Sequence, residues 1–471
     1  MTIFIPEPHL LDSPRGRPWP AYPVPHAGIR TDEPPSTTDV VIVGAGPAGL
    51  AVASALWHLG VHDVVLLDRA DRPCARFFDR IDVLRQRVLR SPYAHHPGVE
   101  GYRDCELLDF ARLHWAQLTA VERREVRMAQ AGHRSVVPVD VFEAYCRHVA
   151  TVHGVYRRTW RASVHSVRPG AGGVSIHTEG QAVRARYAVL CTGEERRPAP
   201  PAWWRGRPAA GARPGASPDG VGYWDEPVPA GAGSVVVVGA GLTAAHLIAN
   251  ALEAGQQVDW VLRAARERYQ CSDVNAAFFR AEGRACFDGV TWEDRLALMR
   301  RERRASIMFE FRPMLRAAEV DGRLTVHRGR EVAAVMSEAD RPATVLLAGG
   351  DAVTGDHVLL ATGTEFTPGT RLLPDDVVNS RDGWPDLDER TLGYRRAPRV
   401  FTVGAAAGMV LGPAARNIDG HRVATARVAA AIAADLGAVA HLGGGAVLGT
   451  DADLAAADLG AGGAARGVTG V

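Results

Sequence analysis

Residues 39–51 read DVVIVGAGPAGLA. The apolar run Val40–Val43 makes a strand and the glycines make a turn. Pro47 then opens a helix at its first position, where the missing N–H costs nothing. In this G-x-G-x-x-G setting each glycine has a separate task. Gly44 permits the tight turn, Gly46 lets the backbone approach a pyrophosphate, and Gly49 allows the helix to pack closely on the strand. The helix start aims N–H groups and partial positive charge at the phosphates, with Pro47 and Ala48 at the contact. Asp68 ends the next strand, 24 residues after Gly44, where a carboxylate accepts from ribose hydroxyls; Arg69 stands beside it.

A second stretch, SVVVVGAGLTAAH at 234–246, repeats the plan. Gly239, Gly241 and Ala244 form the small-residue variant, with Leu242 and Thr243 opening the helix. Counting 24 from Gly239 reaches Arg263, so the two units are expected to share a register with a carboxylate in one and a guanidinium in the other. Aspartate repels a 2′-phosphate, whereas arginine binds it with paired, charge-assisted hydrogen bonds. Arg266, one helical turn on, is placed to join it; alternatively both are solvated surface charges. The reading is two different nucleotides: NADPH in the second cradle and, as its hydride partner, FAD in the first.

The expected fold class is therefore α/β, with two Rossmann-like dinucleotide-binding domains of three-layer ββα build. The FAD domain is discontinuous and the NADPH domain is inserted into it. An irregular Pro-rich arm covers 1–37, FAD-domain residues 38–215, the NADPH domain with a helical substrate-site segment 216–333, and the returning FAD domain 334–438. A Gly/Ala-rich mobile tail, 439–471, ends the chain. Two short-strand meanders close on LCTG (Gly193) and LATG (Gly363), where the chain crosses between domains. RVFTVGAAAGMVLGPAARNIDG, from 399, gives a strand, a glycine-rich loop with Gly404 and Gly412, and a helix start near Arg416 and Asn417. Such a helix start stabilises negative charge on the pyrimidine side of a flavin, unless these two residues only cap and solvate the helix.

Bulk properties narrow the function. At 471 residues with 46% hydrophobic side chains, the chain suits a soluble protein of two or three domains. A net charge of +1 gives no reason to expect nucleic acid or an anionic membrane as partner. No apolar run approaches a membrane span, and the start lacks a secretory pattern. Six scattered cysteines without C-x-x-C argue against a redox dithiol or a zinc site and fit reduced thiols, so a cytoplasmic protein without metal is expected. His95 and His96 are adjacent, and neighbours in one segment rarely converge on one ion. All 54 basic residues counted with lysine are arginine, so no lysine chemistry operates here.

With these features the chain resembles the class B flavin-dependent monooxygenases, and within them the ornithine/lysine N-hydroxylase branch. Five stretches carry the resemblance: the two fingerprints, RSVVPVDVFEAY (134–145), SDVNAAFF (272–279) and the TVGAAAG strand-loop (402–408). The Baeyer–Villiger motif F-x-G-x-x-x-H is missing. The resemblance implies that NADPH reduces FAD, that O2 adds to give a C4a-hydroperoxyflavin, and that one oxygen passes to a nucleophile such as an amine. It places Asn275 near nicotinamide and substrate, and RIDVLRQRVLRSPYAHHPG (80–98) against flavin and substrate. There Gln86 can hydrogen-bond the flavin or its peroxide, and Arg85, Arg87 or Arg90 can grip a substrate carboxylate; alternatively each is an ordinary solvated residue. The branch's substrate-holding asparagine aligns with Ile307, and its carboxylate-binding lysine cannot exist here. The expected substrate is thus an amine or amino-acid derivative other than free ornithine or lysine. A flavin reductase or oxidase that inserts no oxygen is the alternative, and a homo-oligomer is possible on the resemblance.

Overall fold

The computed structural model describes residues 8–20, 28–102, 105–133, 135–193, 201–205, 220–226, 228, 231–270, 281–302, 305–337, 341–364 and 370–437. The expected tail, residues 194–200 and 206–219, and Asn275 lie outside these residues.

Two parallel sheets organise the chain. The first runs Gly393–Tyr394, Ala397–Thr402, Ala182–Leu190, Thr37–Val43, Val64–Asp68, Thr159–Arg161. All neighbours from Ala397–Thr402 onward are parallel. Val40, Val41 and Ile42 are fully buried, as a central strand covered on both faces requires. Helix Pro47–His58 packs on helices Ile418–Asp435 and Val139–Val152 along this sheet. The antiparallel meander Val164–Gly170, Gly173–Thr178 and Ala182–Leu190 extends from the sheet.

The second sheet is wholly parallel: Val221–Tyr223, His357–Leu360, Ser234–Val238, Gln257–Leu262, Leu324–Arg328. Helices Leu242–Glu253 and Phe311–Val320 bury Ile248 and Leu315 in one core with Trp260. A four-stranded layer (Trp204–Arg205, Val332–Met336, Ala343–Leu347, Ala352–Gly355) buries Val335 and Val345 in another core with Val236 and Val238. This is the three-layer ββα build expected. The position expected for the return crossing, residue 334, is corrected. The meander from Val332 belongs to the second sheet's layers because it must cover Val236 and Val238, and His357–Leu360 is itself a central strand of that sheet.

The arm is less irregular than expected. Pro8–Asp12 forms a 3-10 turn with Leu10 fully buried. Arg17 then pairs with Glu122 at 2.6 Å and Asp140 at 2.7 Å, and Arg15 with Glu143 at 2.8 Å. These arginines pin the arm to the helices of the first domain.

Candidate cofactor cleft and active site

A cleft of about 1230 Å³ opens at the carboxyl ends of the first sheet. That exceeds the roughly 300–1,000 Å³ of a drug-sized site, as an extended dinucleotide requires. Gly44, Gly46, Pro47, Ala48, Asp68, Arg69 and Gly193 line one part; Gln86, Arg90, Gly404, Asn417 and His421 line another. The glycines behave as the spacing demands. A Cβ on Gly44, at φ +102°, would stand 2.5 Å from the Cys191 carbonyl oxygen, and one on Gly49 only 1.9 Å from that of Gly44. A Cβ on Gly46 meets nothing within 4 Å, so this residue faces open cleft. No side chain caps the helix at Gly46, which leaves the first-turn amides for a ligand.

Asp68 accepts from the amides of Ala45 at 2.6 Å and Ala70 at 2.8 Å. It thereby ties the strand end to the glycine turn while facing the cleft. Beside it Arg69, Arg76 and Arg80 give the cleft positive charge. Burial, with Arg80 and Arg69 nearby, pushes Arg76 down to about 10. Arg76 escaped sequence reasoning, although its i,i+4 spacing from Arg80, the first residue of the 80–98 stretch expected at the flavin, places the two on one helix face. At the other end His421, held neutral by burial at about 4, has an Nδ1 without a partner among the described residues. It stands one helical turn beyond Asn417, and that spacing was the available signal.

The second cradle repeats this construction. A Cβ on Gly239 would stand 2.3 Å from the Ala361 carbonyl oxygen, and Gly363, at φ +90°, follows on the same crossing segment. Gly241 precedes helix Leu242–Glu253 with no side-chain cap, with Leu242 and Thr243 half-buried and Ala244 packed inside. The shared register, however, is corrected. Val43 pairs with Leu67, but Val238 pairs with Val261. The second connection is one residue shorter, so Leu262 is the counterpart of Asp68 and Arg263 that of Arg69. Leu262 is buried, and it places no carboxylate at this strand end. Arg263 and Arg266 are both exposed just past the strand, in a bend rather than a helical turn.

The two halves meet at Arg90. Its guanidinium donates to Ser306 Oγ at 2.8 Å and to Gln270 Oε1, on the ribbon Tyr269–Gln270 / Ile307–Met308 that follows the Arg263–Arg266 bend. Asn250 adds a bond to the Leu84 carbonyl oxygen at 3.0 Å. The second unit thus abuts the Gln86–Ser91 end of the cleft.

Residues 37–197 match the family described as FAD binding domain. Among curated proteins no sequence matches the chain. Solved structures do. The reduced form of an ornithine hydroxylase from Pseudomonas aeruginosa is 17% identical, with a TM-score of 0.66 over 85% of this chain and 100% of that one. An ornithine N-hydroxylase of Kutzneria sp. 744, described with reduced FAD, NADP+ and L-ornithine, gives the same values. A cadaverine monooxygenase of Erwinia amylovora, bound to FAD, is 16% identical with a TM-score of 0.63, over 84% of this chain and 95% of that one.

The chain has the fold of these solved enzymes.

Within that fold several expected site residues stand elsewhere. Ile307 is fully buried in the second domain's apolar core and does not line the cleft. Its neighbour Ser306 instead meets Arg90. Arg87 does not line the cleft either; its backbone carbonyl accepts from Val139. Arg90 does line it, but its guanidinium reaches across to the second unit. Gly412, at φ +88°, turns the chain between two short helical segments behind the cleft wall. Gln86 lines the cleft and donates from Nε2 to the Val88 carbonyl at 2.7 Å, which orients its amide. His95 faces Asp419 at 3.6 Å and His96 faces the Tyr145 hydroxyl at 3.2 Å, so the pair diverges. Asn275 lies outside the described residues. Among the described residues, no helix is long and apolar enough to cross a membrane.

Proposed function

We propose that the protein is an FAD- and NADPH-dependent monooxygenase that N-hydroxylates a small amine or amino-acid derivative other than free ornithine or lysine. The carrying observation is Arg90, which lines the first cleft and bonds to the ribbon immediately following the second cradle. Two nucleotides in these cradles would converge where Arg90 stands. The similar structures, two ornithine hydroxylases and a cadaverine monooxygenase, support the amine class.

FAD, when bound, supplies electron transfer from NADPH and activation of O2. The chain's own residues bind and orient. Gly44–Ala48 and the first helix turn receive the pyrophosphate, and Asp68 the ribose. The Asn417 helix start and His421 face the pyrimidine end. His421, neutral at physiological pH, offers a hydrogen bond there without adding charge. In the second cradle Gly239–Thr243 take the pyrophosphate of NADPH, and Arg263 with Arg266 its 2′-phosphate. The substrate restriction rests on the absence of any lysine to hold a carboxylate as in that branch; Ile307, buried away from the cleft, does not bear on it.

Aerobic turnover of the FAD-loaded protein with NADPH, across a panel of diamines, amino acids and their acyl derivatives, tests this by product mass. A product sixteen mass units heavier with at least one amine is expected. NADPH loss matched entirely by peroxide for every amine would instead establish a flavin oxidase.

A further inference from the structure

On the far side of the first domain, three side chains from separate segments converge. His58 ends helix Pro47–His58, Cys105 precedes helix Leu107–Leu113, and His153 follows helix Val139–Val152. His58 Nε2 lies 3.0 Å from His153 Nε2 and 3.3 Å from Cys105 Sγ, and the third side, Cys105 Sγ to His153 Nε2, is 3.5 Å. We propose that this His₂Cys cluster is a binding site for Zn²⁺.

Hydrogen bonding does not account for the triangle. Whichever tautomers the two neutral imidazoles adopt, hydrogens bridge at most two of the three contacts, so at least one is left unbridged. A single cation satisfies all three. A point equidistant from the atoms lies about 1.9 Å from each, and zinc bonds run roughly 2.0–2.1 Å to imidazole and 2.3 Å to thiolate. An ion slightly above the plane therefore fits after shifts of a few tenths of an ångström, with water in the fourth position on the side where His58 is half-buried. The ligand type agrees: imidazole and thiolate suit zinc, whereas calcium and magnesium demand oxygen.

Each neutral imidazole has a ring nitrogen with a lone pair for the metal. On binding, the Cys105 thiol gives its proton to solvent and the thiolate ligates; no electron transfer is involved. His58 stands at the opposite end of the helix from the glycine cradle, roughly 16 Å away at 1.5 Å per residue. The ion would fasten three helix ends of the nucleotide-binding domain and take no part in oxygenation.

The test uses the full chain, stripped with a chelator and dialysed against Zn²⁺ or Co²⁺ alone. One equivalent per chain should survive desalting, and Co²⁺ should give a thiolate charge-transfer band. Cys105→Ser should abolish the band, and both Cys105→Ser and His58→Gln should lower retained metal at least tenfold. FAD content and circular dichroism of the same samples show whether each variant folds. Half-exposed His58 makes His58→Gln the variant that remains readable should Cys105→Ser fail to fold. Retention of either metal below a tenth of an equivalent by the wild-type chain, or undiminished retention by folded variants, overturns the site.

Discussion

Asp68 and Leu262 occupy matching places in the two units. Each follows the residue whose carbonyl accepts the amide of the leading glycine: Leu67 from Gly44 at 2.8 Å, and Val261 from Gly239 at 3.0 Å. A carboxylate stands at one place and a buried aliphatic side chain at the other, with Arg263 one residue later. Under the proposed function this difference would separate the nucleotide preferences of the two cradles.

Asp68→Ala should weaken FAD binding. It removes an acceptor that holds Ala45 and Ala70 and lines the cleft where the proposed function puts the ribose. A hydrogen bond to a charged group contributes about 1.5–3 kcal/mol, which is roughly 10–100-fold in Kd. Fluorescence titration of the stripped protein with FAD measures it; an unchanged Kd would remove Asp68 from the site.

Arg263→Ala should raise the KM for NADPH roughly 10–100-fold, the weight of a charge-assisted contact. It should leave kcat and the KM for NADH nearly unchanged, and Arg266→Ala should act in the same sense but more weakly. Equal effects on NADPH and NADH would show that the 2′-phosphate is held elsewhere.

Gly46→Ala and Gly49→Ala should separate binding from folding. Gly46 faces open space at φ −70°, so alanine fits the apo fold and obstructs only the pyrophosphate. Its Tm should stay within roughly 2 °C of wild type while FAD affinity falls, since surface changes usually cost under about 0.5 kcal/mol. Gly49→Ala drives a Cβ into the Gly44 carbonyl. It should lower Tm and soluble yield, as overpacking by about 1–3 kcal/mol does. Thermal melts with and without FAD distinguish the two.

Glu310 makes stability depend on pH. Its carboxylate is fully buried with no hydrogen-bond partner among the described residues, and burial raises its pKa from 4.5 to about 7. The folded state therefore binds the proton more tightly than the unfolded chain. That stability is fully present below about pH 4.5 and is lost as pH rises to about 7. The loss is on the order of 3 kcal/mol at alkaline pH. Glu310→Gln should thus gain more stability over wild type at pH 8 than at pH 5, read by denaturant midpoints. A pH-independent difference would refute the assignment.

The glycine fingerprints were legible because their constraints are local. Only three or four consecutive residues decide whether a turn can approach a carbonyl or a phosphate, so Gly44, Gly49 and Gly239 could be read from spacing. The register of Arg263 could not. A connection shorter by one residue shifts the strand pairing, and counting along the chain cannot see which residues pair. Ile307 failed for a related reason: alignment supplied its column, but burial against Trp260 and Leu315 removed it from the cleft.

The sequence by itself determined that two strand–turn–helix units lie in one chain, that lysine chemistry is absent, and that aspartate and arginine stand near the two strand ends. Tertiary structure alone decided which residues share a site. Arg90 meets Ser306 across 216 positions, and His58 meets Cys105 and His153 across 47 and 95. Such meetings depend on how helix ends and sheet edges pack. Packing is set by the summed burial of many apolar side chains, and no short window of sequence contains that sum.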